Sequence, residues 1–310
     1  MTRLQRAAEE YLAIRRGLGY LLRDQGHALR HFIVFCERKR AAVVTCDLAV
    51  QWAVSANASS ARAAWRLQVV RAFARHHHIA DPRTEIPSAN LLSGVYHRRA
   101  PYPFTDSEVA ALLRTARQLP PGTGLRPQTY ATLFGLLAAT GIRVGEALAL
   151  DRADIDWEMG LLVIRRGKFG KARVVPIHNS TTGRLQRYEA ERDRVHQTPR
   201  TPAFFVSESG GRLPYRTVSA MFRKVRESLH IRPPAGSRYP RLHDLRHRFA
   251  VTTLIRWYRN GEDVGRRSPV LSTYLGHTSP AHTYWYLSAV PELLCLATKR
   301  LESGGSRHEN

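Results

Sequence analysis

Apolar residues recur at helical spacing through most of the chain. Tyr11, Leu12, Ile14, Leu18 and Leu22 form one stripe, with Arg15, Arg16 and Arg23 between them, and Leu29, Phe32, Ile33 and Phe35 continue it. Thr45-Cys46-Asp47 can cap a short helix through Trp52 and Val54. Ser59-Ser60 can start another through Trp65, Val69, Val70 and Phe73. About four helices with basic faces and one shared core are expected over 1–80. Breakers then cluster at Asp81-Pro82, Ile86-Pro87-Ser88 and Pro101-Tyr102-Pro103, so 81–102 reads as a linker.

Residues 103–301 read as a second domain. Thr105 stands three residues before Glu108, a helix-start signature, and Leu112 and Leu113 carry that helix on to the break at Pro120-Pro121-Gly122. Thr129–Thr140 is strongly apolar and stops at Gly141; a further helix follows through Val144, Ala147 and Leu148. The period changes from 3.6 to 2 over 151–177. Ile155-Asp156-Trp157, Leu161–Arg165 and Arg173–Ile177 predict three short strands with turns at Gly160 and Gly167/Gly170. Helical patterns then resume, punctuated by Gly276 and by Ser279-Pro280 as N-cap and first helical position. The polar tail, 302–310, is expected to be disordered. The fold class is therefore mainly α with a small antiparallel β-sheet.

Charge narrows the partner. The 310 residues carry 48 Lys and Arg against 25 Asp and Glu, a formal charge of +23. An excess of this size, spread along the chain, points to a polyanion, most simply a phosphate backbone. Three cysteines without a CxxC spacing suggest neither a zinc ribbon nor a disulfide framework, and fit a reducing, cytoplasmic setting. His76-His77-His78 cannot share one helix face, which argues against a metal site there. No apolar run has the length of a membrane span.

Four segments could carry chemistry. In His243-Asp244-Leu245-Arg246-His247, His243 and Arg246 are three apart and share a helix face; together they can bind a phosphate and relay a proton. Asp244 suits the helix N-terminus. Arg143 follows the stop at Gly141 and opens the next helix, with Glu146 three residues on to brace it; the alternative is a plain surface ion pair. The turn Gly167-Lys168-Phe169-Gly170-Lys171 offers two lysines, either of which could donate a proton to a leaving oxygen or touch a backbone phosphate. His277 follows a helix stop, and Tyr286 comes nine residues later, after Tyr284-Trp285. A phenol ionises near pH 10, so it becomes a useful nucleophile only among cations. For Tyr284 and Trp285, core packing is the expected role.

The order Arg, Lys, His-x-x-Arg, His, Tyr resembles the tyrosine recombinase (phage integrase) family, as do ATGIRVGEAL, GKFGKARVVP, RLHDLRHRFA and YLGHTSPAHTYWYL. The likeness spans about residues 100–300, and the basic helical N-terminal region looks like the family's core-binding domain. The resemblance implies Arg143, Lys168, His243, Arg246, His277 and Tyr286 as the active residues. Tyr286 would attack a phosphodiester to give a 3′-phosphotyrosyl link and a free 5′-hydroxyl. Arg143 and Arg246 would hold the non-bridging oxygens, and His243 would serve as general acid/base. Lys168 would protonate the leaving 5′-oxygen, and His277 would bond the scissile phosphate. It implies no cofactor, neither ATP nor metal. The implied partners are double-stranded DNA and a homotetramer or mixed recombinase tetramer, joined through a Holliday junction. The ending TYWYLSAVPELL is more like the integrases of transposons and integrative elements. The segment after Pro291 would be either an arm onto a neighbouring protomer or a helix packed on its own domain.

Overall fold

The computed structural model describes residues 1–55, 58–92, 101–120, 124–165, 172–233, 238–277, 279 and 281–305. The chain divides into two compact units, Met1–Arg98 and Arg99–Asn310.

The first unit holds helices α1 (Arg3–Gly17), α2 (Arg23–Arg38), α3 (Cys46–Val54) and α4 (Ser60–His77). Thr2, Thr45 and Ser59 cap three of them, each hydroxyl accepting a backbone N–H of the first turn. Leu4, Ala8 and Leu12 lie four apart and meet Leu29, Phe32, Ile33, Trp52, Val70 and Phe73 in one core. The apolar stripe expected to run from Tyr11 to Leu22 breaks, however. The chain turns at Gly19 (φ +88°), and Leu18 is left 68% exposed, because its position falls past the end of α1. The start of the expected linker packs on this unit. Asp81 is buried and held by Arg83, while the Glu85 carboxylate accepts the Cys46 N–H at 2.6 Å. The three histidines diverge. His76 leans on Tyr11, His77 stacks on Phe73, and His78 bonds the Thr84 carbonyl at 2.7 Å.

The second unit is built around α6 (Leu125–Thr140), a helix apolar on nearly every side. It packs against α5 (Asp106–Arg117), α8 (Asn179–Val195) and α10 (Leu242–Arg259). It begins one turn before the predicted Thr129, since Pro127 is tolerated where no intrahelical N–H bond is needed. The sheet has order β1 (Ile155–Asp156), β2 (Leu161–Ile164), β3 (Arg173–Pro176), all antiparallel, with Leu162 opposite both Ile155 and Val175. Leu162, Ile164 and Val175 face the core, and Val174 faces solvent, the alternation a one-sided sheet requires. The short α7 (Val144–Ala149) precedes the sheet, and α9 (Tyr215–Ser228) lies between α8 and α10.

The last third contributes a second core. Helices α11 (Val264–Leu275), α12 (Ala281–Ala289) and α13 (Pro291–Gly305) gather against α10 through Leu254, Trp257, Leu271, Leu275, Tyr286 and Leu293. The α13 helix packs on its own unit: Leu293 is fully buried, and Arg259 pairs with Glu292 at 2.7 Å. Residues 302–305, expected in a disordered tail, continue α13, and 306–310 lie outside the described residues.

Candidate active site

Two glycines set the site. Gly141 ends α6 with φ +62°, and Gly276 ends α11 with φ +68°. Left-handed backbone of this kind costs any other residue, and here space forbids one too. A Cβ on Gly141 would lie 2.6 Å from the Phe249 ring, and one on Gly276 would lie 2.8 Å from Arg173 Nη1. Each stop turns helix-end carbonyls outward without intrahelical partners, at the negative end of a helix dipole. Guanidinium groups fill them. Arg246 Nη1 donates to the Gly141 carbonyl at 2.8 Å and Nη2 to that of Leu275 at 2.7 Å. Arg143 Nη2 donates to the Gly276 carbonyl at 2.7 Å. Two arginines distant in sequence are thereby both fixed against the end of α11, and Arg246 also against that of α6.

Arg246 is buried, and burial, reinforced by the charge of Arg143, pushes its pKa down to about 10; Tyr286 and Glu146 act the other way. It stays cationic at neutral pH. Arg143 is braced as its spacing suggested. Its backbone N–H donates to Glu146 Oε2 at 2.9 Å and its Nη1 to Oε1 at 2.7 Å. Glu146 is 5% exposed, so this is no surface pair. Sequence reasoning missed the third partner, Arg173 at the start of β3. Arg173 grips both oxygens of Glu146, at 3.0 and 2.8 Å, and its Nε donates to the Tyr274 carbonyl at 2.8 Å. Burial alone would raise the Glu146 pKa, but Arg173 and Arg143 outweigh it and hold the carboxyl below its ordinary value. Nothing local in the sequence pairs residues 146 and 173.

The start of α10 places the histidine motif. Leu242 and Leu245 enter the core, and Asp244 caps the helix, accepting the Arg241 N–H at 2.7 Å and Arg238 Nη2 at 3.1 Å. Burial raises the Asp244 pKa despite these donors. His243 stays exposed, at the edge of a cleft of about 960 Å³ that Arg216, Arg223, Arg226, Arg238 and Arg241 also line. The charge of such a cleft suits a phosphate backbone.

Tyr286 comes in from α12 and is 1% exposed. Its hydroxyl lies 2.8 Å from His247 Nδ1, and its ring stacks 6.5 Å from that of His277. His277 Nδ1 meets the buried Thr283 hydroxyl at 2.8 Å. Trp285 packs beside His247, as core packing predicted, but Tyr284 is 46% exposed and takes no part in the core. The two tyrosines are two residues apart on a helix, so they cannot share a face. Arg143, Arg246, His277 and Tyr286 therefore converge, while His243 opens onto the cleft and its ring lies 4.6 Å from that of His247. Lys168, with the rest of 166–171, lies outside the described residues. His247 was unassigned in the sequence, although its place four residues after His243 was a usable signal. Among the described residues no cluster of His, Cys, Asp or Glu could hold a metal, and no helix is long and apolar enough to cross a membrane.

Residues 104–292 match the Phage integrase family. The chain is 41% identical over 308 residues to the Sinorhizobium fredii protein named integrase/recombinase y4rB, covering 97% of this chain and 98% of that one. It is 32% identical over 221 residues to tyrosine recombinase XerC of Chlamydia trachomatis, or 71% of this chain and 64% of that one. In fold it is similar to the Tn1549 transposon integrase solved with transposon right end DNA (TM-score 0.67, 16% identity, 97% of this chain and 100% of that one). It is also similar to a lambda integrase dimer bound to a core site (TM-score 0.64, 16% identity, 92% and 95%).

Proposed function

This chain belongs to the phage integrase family and is a tyrosine-type site-specific DNA recombinase, and we propose that it breaks and rejoins DNA through Tyr286. The observation that carries this reading is the convergence of one buried phenol with two arginines locked to helix ends. In it, the scissile phosphate sits between Arg143 and Arg246. Both are anchored through part of their donor set, which leaves N–H groups for the non-bridging oxygens. Preorganised cations of this kind stabilise the charge of a pentacoordinate transition state without reorganising, an effect worth on the order of 10²–10³ in rate for each donor lost.

Tyr286 Oη bonds to phosphorus as the 5′-oxygen leaves, giving a 3′-phosphotyrosyl link that conserves the energy of the broken bond. Lys168 gives the leaving 5′-oxygen its proton, His243 acts as general acid/base from the cleft edge, and His277 bonds the phosphate. The reaction needs neither ATP nor metal. The arginine-lined cleft beside His243 takes a stretch of the duplex's phosphate backbone, and the helical unit 1–80 grips the DNA from its basic faces as a core-binding domain, joined by a linker over 81–102 to the catalytic domain 103–301. Exchange runs in a synaptic tetramer, of this chain alone or mixed with a second recombinase. The element served is a mobile one, integrated, excised or transposed, in keeping with the names of the similar proteins. The work is done in the cytoplasm, which suits three free cysteines.

The test is a nicked suicide duplex that traps the covalent intermediate. The native chain yields a protein–DNA adduct that survives denaturation, and Tyr286→Phe yields none. An adduct from the Phe variant would remove Tyr286 as nucleophile.

A further inference from the structure

The attack described above gives acid/base work to His243 at the exposed cleft edge, but does not say which group takes the proton of the buried Tyr286 hydroxyl. The Tyr286 hydroxyl must lose its proton as it bonds to phosphorus, and a phenol, with an ordinary pKa near 10, does not readily give it up to water. Guanidinium groups cannot take it, because they stay protonated in proteins. Lys168, in its proposed role, enters the step already protonated and gives its proton to the opposite oxygen. His277 has its Nδ1 turned to Thr283, and its ring lies 6.5 Å from that of Tyr286 with the two planes 29° apart.

His247 is placed differently. It is 6% exposed and follows Arg246 on α10, so the helix that anchors the arginine also fixes the imidazole. Its ring meets that of Tyr286 edge-on, 5.4 Å between centres, and packs against Trp285 and His243. Its Nδ1 stands 2.8 Å from Tyr286 Oη, within the range for direct proton transfer. We propose that His247 is the base that takes the phenolic proton from Tyr286, through this hydrogen bond, in the tautomer that carries its own proton on Nε2. The proposal rests on Tyr286 being the nucleophile.

The step balances. As the Oη–P bond forms, the Oη–H bond breaks and the proton moves to Nδ1, leaving an imidazolium. The P–O5′ bond breaks, its electron pair stays on the 5′-oxygen, and that oxygen takes a proton from Lys168. On rejoining, the 5′-hydroxyl returns its proton to Lys168 as it attacks phosphorus, and the imidazolium returns its proton to Oη as the phosphotyrosine breaks.

The experiment uses the full chain and a nicked duplex bearing the sequence that the chain itself enriches from a random pool. Single-turnover cleavage is compared for the native chain and His247→Gln, each with tyrosine or the more acidic 3,5-difluorotyrosine at position 286. Loss of a general base predicts a fall of about 10²–10⁴-fold for His247→Gln with DNA binding unchanged. Difluorotyrosine restores most of that loss, because an acidified phenol needs less help. A 5′-bridging sulfur, which leaves without a proton, rescues Lys168→Ala but not His247→Gln. Each rescue compares a variant with itself, so partial misfolding scales both arms and cannot create one. If the Gln variant fails to bind DNA, His247→Asn is read in the same way. Cleavage at the native rate by His247→Gln, or a difluorotyrosine gain no larger than in the native chain, overturns the proposal. An adduct from Tyr286→Phe would instead overturn the choice of nucleophile beneath it.

Discussion

Gly276→Ala offers a sharp test of how the site is held. The new methyl needs left-handed backbone at φ +68°, which costs a non-glycine residue about 1–2 kcal/mol. It would also stand 2.8 Å from Arg173 Nη1 and 2.9 Å from Cζ. A free arginine tip would swing aside at little cost. This one is tied to both oxygens of Glu146 and to the Tyr274 carbonyl, and its side chain is only 11% exposed. Loosening one charge-assisted bond costs roughly 1.5–3 kcal/mol, so the substitution should destabilise by about 2.5–5 kcal/mol in total. Adduct formation should fall as well, by about 10²-fold, since the Gly276 carbonyl also anchors Arg143 and small misplacements near the chemistry are costly. The decisive assay is a double-mutant cycle by urea denaturation with Arg173→Ala. With the guanidinium gone, Gly276→Ala should cost only the backbone term, giving a coupling of about 1.5–3 kcal/mol. Equal costs in the two backgrounds would refute the claim that Arg173 is pinned beneath Gly276.

Two further outcomes follow from the electrostatics. Glu146→Gln should lower cleavage by about 10²-fold, because one carboxylate positions two guanidinium groups. The folded carboxyl titrates below its unfolded value, so its stabilisation is present above about pH 4.3 and is lost as pH falls through the folded pKa. Urea denaturation should accordingly separate the native and Gln proteins at pH 7 and bring them together in acid. In the cleft, Arg223→Ala should weaken DNA binding across all sequences and reduce the slope of log affinity against log salt by about one, read by titrations at several salt concentrations.

Much was legible in local pattern. The caps at Thr45, Ser59 and Thr105, the stops at Gly141 and Gly276 and the three short strands each depend on residues within a turn or two, so spacing alone located them. Where local pattern misled, tertiary packing had overridden it. The stripe from Tyr11 to Leu22 kept helical spacing, but the chain turns at Gly19 and leaves Leu18 in solvent. Tyr284 was expected in the core, yet it is left 46% exposed, and it is Tyr286 that α12 buries in the second core.

The sequence by itself determined the chemistry available: a large positive charge, an arginine just after the helix-stopping Gly141, His243 and Arg246 on one helix, and a tyrosine nine residues after His277. These are properties of residue type and short-range spacing, and they are written in the chain. Only the tertiary structure decided which groups act on which. Glu146 sits between Arg143 and Arg173 because β3 and α7 meet, and Arg246 bridges the ends of α6 and α11, 105 and 29 residues away. His247 reaches the Tyr286 hydroxyl across 39 residues because α10 and α12 share one core. Hydrogen bonds form wherever donors and acceptors come within about 3 Å, and that distance is set by how helices pack, which no single stretch of sequence contains.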